Sequence, residues 1–561
     1  MTSAFQNGNG RKPHQPKQRR VMSDAIAIPA EILTRHRARV LDPATAVRSQ
    51  DGTWPLSTAY RSNVMLVPAA DARALRPDSD GLVPQNEINE TLGRIGYELR
   101  PPRDEGWDSV VNDLPDDVGV PVPLFWKDDQ PADRAPDPWA AYVVLEDALG
   151  ERVRHYGLDH LLVSASTTFG GAPVSNGPSI GTPVSNGPSV GGGLALYTGN
   201  RDPVAMLMPQ PVRPKAASLP GGRRPVVAVL DTGFGPHPWW DNQDPADPII
   251  EGAQDFQDML AAVEIGQLSP TQPNPLSTPR ETQDEIDPLL GLIDSHSGHG
   301  TFVAGLVHQL CPAAKILSLR VLHSDGYSTE SAVVLALNWL LERVNSGQRI
   351  DVVSMSLGFY AETATVPEVE QVRTLVEQLT AQGVLVVAAA GNDATTRPFM
   401  PAAFARGTGS AASGVELLTA IGARNAAGLT TAAFSNWGEW ITAWAPGNAV
   451  VSTVPVWEGA ATGGISLPDG AGLGPDQRTG PDPDDLGSGF AVWAGTSFAT
   501  PVVAGILADV LAKEASCGTG TAETIDRARR ALRAADRELV RRHWKRPPVS
   551  SKQSQEEMSA S

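Results

Sequence analysis

From Pro225 onward, short runs of Val, Ile and Leu alternate with stretches of helical spacing. The runs are VVAVL (Val226–Leu230), KILSLRV (Lys315–Val321), IDVVSMSL (Ile350–Leu357) and VLVVAAAG (Val384–Gly391). Helical patterns lie between them at Ser331–Val344 and Val366–Gln382. A strand that is apolar throughout, and not at every second residue, has to be covered on both faces. Helices on either side of a parallel sheet supply that cover. Ligands of such sheets lie beyond the carboxyl ends of the strands, so the residues that follow the runs carry the interest. Asp231 closes the first run and Asn392 follows the last.

Two helical stretches open on polar residues: HGTFVAGLVHQL at His299, and GTSFATPVVAGILA with Ser497 near its start. Singly, each has a structural explanation. An Asp after a strand turns the chain, a His at a helix start is a bonded structural group, and a Ser there is a cap. Together they form the order Asp–His–Asn–Ser, each at an element boundary.

On these residues the chain resembles the subtilisin-like serine proteases. The matching segments are Val229-Leu230-Asp231-Thr232-Gly233, His299-Gly300-Thr301-Phe302-Val303-Ala304-Gly305, Ser356-Leu357-Gly358, Ala390-Gly391-Asn392, Ala445-Pro446-Gly447 and Gly495-Thr496-Ser497-Phe498-Ala499-Thr500-Pro501. They cover Pro225 to Ala512, about half the chain. The resemblance implies an α/β fold: a subtilisin-like three-layer catalytic domain with a central parallel sheet, preceded by a small α+β domain.

It also implies a serine endopeptidase acting on a peptide or protein substrate through an acyl-enzyme. Ser497 is then the nucleophile, which needs an adjacent base at neutral pH. His299 takes and returns the proton, and Asp231 fixes the imidazole tautomer. The Asn392 amide and the Ser497 N–H hold the oxyanion. Ser356, Leu357 and Gly358, with Ala389, Ala390 and Gly391, flank the primary specificity pocket, and their small size suits a large apolar side chain. Ser356–Gly358 pairs with substrate as an added strand. Pro501 is expected in the first turn of the serine helix, where a missing N–H costs nothing.

The chemistry needs no organic cofactor. Relatives often bind calcium, but Asp241, Asp244 and Asp247 are too sparse for the six to eight oxygens calcium takes, so no metal site is assigned. Asp294 and His296 read as loop polars.

Along the chain, 1–23 reads as a disordered basic tail and 24–165 as a small α+β domain. Within the latter, Arg61–Pro68 and Leu158–Ala165 read as strands, and Ile88, Leu92 and Ile95 as a helical stripe. A second helix is capped at Asp137, opens on Pro138 and ends at Gly157. This domain stands where a propeptide would, as an intramolecular inhibitor or chaperone; a separate binding domain fits as well. Residues 166–222 form a linker in which APVSNGPSIG (Ala172–Gly181) is repeated as TPVSNGPSVG (Thr182–Gly191). The catalytic domain runs over 223–516, with insertions near 255–290 and 456–489. Over 517–561, Ile525, Ala528, Leu532, Ala535 and Leu539 make a helical stripe expected to dock on the catalytic core, ahead of a frayed tail.

A net charge of −18 argues against nucleic acid, and no apolar run reaches the length of a membrane span. Two cysteines, Cys311 and Cys517, and a polar N-terminus without an apolar signal region point to a cytoplasmic home. Two other readings stay open: a pseudoprotease that binds peptides as a scaffold, and a self-processing regulator.

Overall fold

The computed structural model describes residues 26–542 apart from 27, 50–51, 77–85, 128–134, 166–200, 208, 242, 265–273, 283–292, 364–370, 406–413, 458–485 and 515–519. The basic tail, the repeated decapeptide, most of the second expected insertion and parts of the first therefore lie outside the described residues.

Seven parallel strands form the central sheet, in the order Ala443–Pro446, Leu418–Arg424, Leu385–Ala389, Val352–Met355, Val226–Asp231, Lys315–Arg320, Ile250–Gly252. The four apolar runs are the middle of this sheet. Side chains alternate across a strand, and the alternation sorts them into two cores. Val227, Val229, Ile316, Val352 and Val387 pack with helices His299–Leu310 and Thr496–Lys513. Ala228, Leu230, Leu317, Val353 and Val386 pack with helices Gln254–Val263, Glu330–Asn345 and Gln371–Ala381. This is the three-layer α/β architecture. Thr496–Lys513 is long and apolar enough to cross a membrane, but most of it is buried inside the protein.

Helix Thr521–Arg541 buries Ala528, Ala531, Ala535 and Leu539 against the first of these cores, beside helix Thr496–Lys513. Its Arg527 bonds Asp351 at 2.8 Å, and Arg223 grips the same carboxylate through two bonds. The region expected as an insertion begins instead with helix Gln254–Val263, which buries Phe256, Leu260 and Val263. Part of the expected linker is also structured, since Asp202–Pro203 pairs with strand Phe490–Trp493.

The N-terminal domain is built on antiparallel strands Ala59–Pro68, Gly119–Trp126 and Gly157–Ser164, with Ala38–Val40 and Tyr97–Leu99 at their sides. Asp137 caps helix Pro138–Leu149 by accepting the Trp139 N–H. That helix stops at Gly150, earlier than the expected Gly157. Gly150 sits at φ +53 and ψ −128, a backbone conformation that glycine alone adopts readily, and the chain turns out of the helix there. The hydrophobic core is continuous with the catalytic domain: Met65, Leu92, Val120 and Leu145 join Leu335 and Val376 in one cluster. Gln371 adds polar contacts, accepting the Gly119 N–H and donating to the carbonyls of Asp117 and His155.

Candidate active site

Strand Val226–Asp231 delivers Asp231 to the carboxyl edge of the sheet, fully buried. His299 opens its helix behind Gly298 and meets Asp231 with Nδ1 on Oδ1 at 2.6 Å. The same oxygen accepts the Thr232 N–H at 2.8 Å, and Thr232 Oγ1 accepts the Gly300 N–H at 2.9 Å. Gly300 has to be glycine: a Cβ there would stand 2.1 Å from the Gly233 carbonyl oxygen. Glu281 accepts the Gly298 N–H at 2.9 Å and fixes the turn that launches the histidine helix. His296 lies beside His299, ring centroids 5.9 Å apart. Burial first, and the charge of His299 second, hold its pKa down to about 3, so it stays neutral there.

Ser497 is the second residue of helix Thr496–Lys513 and fully buried. Its hydroxyl donates to the Ser356 carbonyl at 2.9 Å, and the Ser356 hydroxyl donates to the Ser497 carbonyl at 2.8 Å. The second bond corrects the expectation for Pro501. The helix begins at Thr496, so Pro501 stands in the second turn, and its missing N–H would have bonded the Ser497 carbonyl. The Ser356 hydroxyl fills that vacancy.

Asn392 accepts the Thr496 N–H on Oδ1 at 2.9 Å. Its Nδ2 is buried without a hydrogen-bond partner among the described residues. Asn436 braces this loop from behind. It donates to the Ala390 carbonyl, accepts from the Asp393 and Thr395 N–H groups, and its own N–H meets the Gly391 carbonyl.

The cleft is filled by the chain itself. The last strand of the N-terminal domain, Gly157–Ser164, enters between two rims of the catalytic domain. Tyr327–Thr329 pairs with Val163 to Leu161 on one side, and Leu357–Gly358 pairs with Ser164 and Val163 on the other, both antiparallel. The Ala165 N–H donates to the Ser356 carbonyl at 2.9 Å, and the Ala165 carbonyl accepts the Ser497 N–H at 2.8 Å. Ser164 Oγ lies 3.1 Å from His299 Nε2. A neutral ring that donates from Nδ1 to Asp231 has Nε2 free to accept that proton.

The structure thus brings Asp231 and His299 together and sets Ser497 beside Ser356, but no hydrogen bond joins Ser497 to His299 among the described residues. Ser356 accepts the Ala165 N–H, and Leu357–Gly358 pairs with strand Gly157–Ser164. No hydrogen bond to it from Ala389, Ala390 or Gly391 is found among the described residues. Ala165 is small and buried. Asp247 is engaged by Arg224 at 2.6 Å, and Asp244 caps its own turn. Sequence reasoning missed Glu281, Asn436 and the pairing of strand Gly157–Ser164 with both rims. No motif marks them; the one signal was that a strand reading ends at Ala165, where the linker begins.

The sequence profile of the subtilase family matches residues 222–543. The chain belongs to the subtilase family. Among curated relatives of this subtilase, alkaline elastase YaB of Bacillus sp. (strain YaB) is 30% identical over 52% of this chain and 55% of its own length. Subtilisin-like protease 1 of Arthroderma gypseum is 29% identical over 40% of this chain and 38% of that protein. Subtilisin BL of Lederbergia lenta is 29% identical over 52% of this chain and 77% of its own length. The chain therefore spans about half the length of the alkaline elastase, and less of the Arthroderma protein. A solved cold adapted subtilisin-like serine proteinase is 20% identical over 54% of this chain and 79% of that one, with a TM-score of 0.32.

Proposed function

We propose that this subtilase is a serine endopeptidase held silent by its own N-terminal domain, with Ala165–Ser166 as the first bond it cuts. One observation carries the reading: the Ala165 carbonyl rests on the Ser497 N–H while its amide is fixed on Ser356. That is where a scissile carbonyl has to stand. Ser497 Oγ would attack it as His299 takes the hydroxyl proton. The developing oxyanion would gain the Asn392 amide beside the Ser497 N–H. The C–N bond then breaks, His299 protonates the departing amine of Ser166, and water releases the acyl group by the reverse roles. To act, the Ser497 hydroxyl would have to leave the Ser356 carbonyl and displace Ser164 Oγ from His299 Nε2. No organic cofactor enters, and the substrate is peptide.

The test is direct. A fluorophosphonate should label the wild-type chain but not Ser497→Ala. Intact mass should show the wild type cut after Ala165 and Ser497→Ala whole at 59.2 kDa. An unlabelled wild type that stays whole would overturn the reading. A pseudoprotease is favoured by one feature, the Ser497 hydroxyl resting on Ser356 and not on His299; the same labelling decides between the two. An intracellular setting is supported by the free, buried Cys311, and fractionation of source cells checks it.

A further inference from the structure

Beyond the bond-cutting centre, the two rims of the cleft end in a shared feature. Tyr327–Thr329 runs antiparallel to the bound strand until Thr329 faces Leu161, and the next residue is Glu330. The other rim pairs Leu357 with Ser164 and Gly358 with Val163, and its chain runs on through Phe359 to Glu362. Both carboxylates arrive at one residue of the bound strand, His160. Its Nδ1 meets Glu330 at 2.5 Å and its Nε2 meets Glu362 at 2.9 Å. The imidazole is stacked on Phe359, centroids 4.6 Å apart and planes inclined by 25°. Glu330 and His160 are both buried.

The three holding groups belong to the catalytic domain, and the group they hold belongs to the N-terminal domain. We infer that Glu330, Glu362 and Phe359 form a subsite of the protease for a flat cationic side chain, guanidinium or imidazolium, at the sixth residue before the cut. This inference rests on the proposed cut after Ala165, which numbers His160 as that sixth residue. Two carboxylates on opposite sides of a planar donor favour a group with donors at both edges. The aromatic face favours a delocalised cation over an ammonium. Glu330 is the first residue of helix Glu330–Asn345, where a negative charge is favoured with or without the occupant. Arg397 also bears on Glu362, but it is engaged with the carbonyls of Ser57 and Ala361.

Internally quenched peptides that share Leu-Leu-Val-Ser-Ala before the bond, and differ only one residue further back, test the assignment on the self-processed chain once its N-terminal fragment has dissociated. Arg should exceed Ala by about ten-fold in kcat/KM, mostly through KM, with Lys between them and Glu below Ala. In Glu330→Gln/Glu362→Gln the Arg-to-Ala ratio should fall to near one. Equal rates for all four peptides, or a ratio that survives the double variant, would overturn the subsite.

A second measurement needs no hydrolysis. In the full-length Ser497→Ala chain, hydrogen exchange at Val163–Ala165 reports whether the strand is seated. His160→Arg should keep the protection, His160→Glu should lose it, and Glu330→Gln/Glu362→Gln should partly restore it to His160→Glu. This behaviour without any peptide cleavage would sink the protease reading and leave the subsite standing. Cleavage without discrimination would do the reverse, and protection indifferent to charge would remove the subsite on its own.

Discussion

Asn392 separates a charge-stabilising role from a structural one more cleanly than the other site residues. Its Oδ1 is committed to the Thr496 N–H, which aims the other end of the amide and leaves Nδ2 buried without a partner. A buried donor left unsatisfied costs about 1–3 kcal/mol, so the ground state gains little from it. An oxyanion would. Asn392→Ala should lower kcat by about 10²–10³-fold with KM nearly unchanged, a magnitude that comes from subtilisin itself. Steady-state kinetics on a short peptide check this, and an equal loss in KM would speak for a packing role. At this scale the sequence was informative where local chemistry dictates the residue. Asp231, His299 and Asn392 announced themselves at element ends. Asn436 and Glu281 did not, because an asparagine bracing a loop and a glutamate on a turn N–H look like any surface polar residue until the fold brings them in.

At the scale of the element, strand Gly157–Ser164 has two sets of neighbours, Ala59–Pro68 in its own domain and the rims of the cleft. His160 makes its seating depend on pH. Burial alone would discharge the ring, but Glu330 and Glu362 outweigh that and push its pKa up to about 10. An exposed His titrates near 6.5. The raised value means that this contribution to docking is complete below the free value and is lost as pH climbs through about 10. The hydrogen-exchange protection factor of the Ser497→Ala strand, with intrinsic base catalysis divided out, should therefore fall between pH 7 and 10.5, and His160→Gln should flatten that fall. The apolar runs of the parallel sheet were legible because burial on both faces leaves a continuous signature. The outer strands Ile250–Gly252 and Ala443–Pro446 are too short to carry one. The seating of Gly157–Ser164 was not legible, because a strand's residues record that it is buried and not what lies on its edges.

Across the whole molecule, Asp351 ties the beginning of the catalytic domain to its end. Arg223 lies just ahead of the first central strand and Arg527 on the last helix, and both hold this carboxylate, which also accepts the Val226 N–H. Burial would raise its pKa, but the two arginines outweigh that and lower it. The clamp is therefore at full strength above the ordinary carboxylate range and fails as pH drops through the lowered value. Asp351→Asn strands Arg527 in a buried place and should cost about 3 kcal/mol in denaturant unfolding. Its acid sensitivity between pH 5 and 2 should be weaker than that of wild type. A C-terminal amphipathic stripe was visible in the sequence; that its one buried arginine would close the domain on itself was not, because the partners lie 176 residues apart.

The double membership of strand Gly157–Ser164 separates cutting from activation. Breaking the chain after Ala165 leaves every ladder bond to both rims in place, together with the core that spans the two domains. On the proposed cut, the severed piece would stay behind as a tight stoichiometric product, and activity would wait on its departure. Onset should lag behind scission by the lifetime of that complex, and whatever shortens the lifetime, alkali or a competing chain, sets the clock.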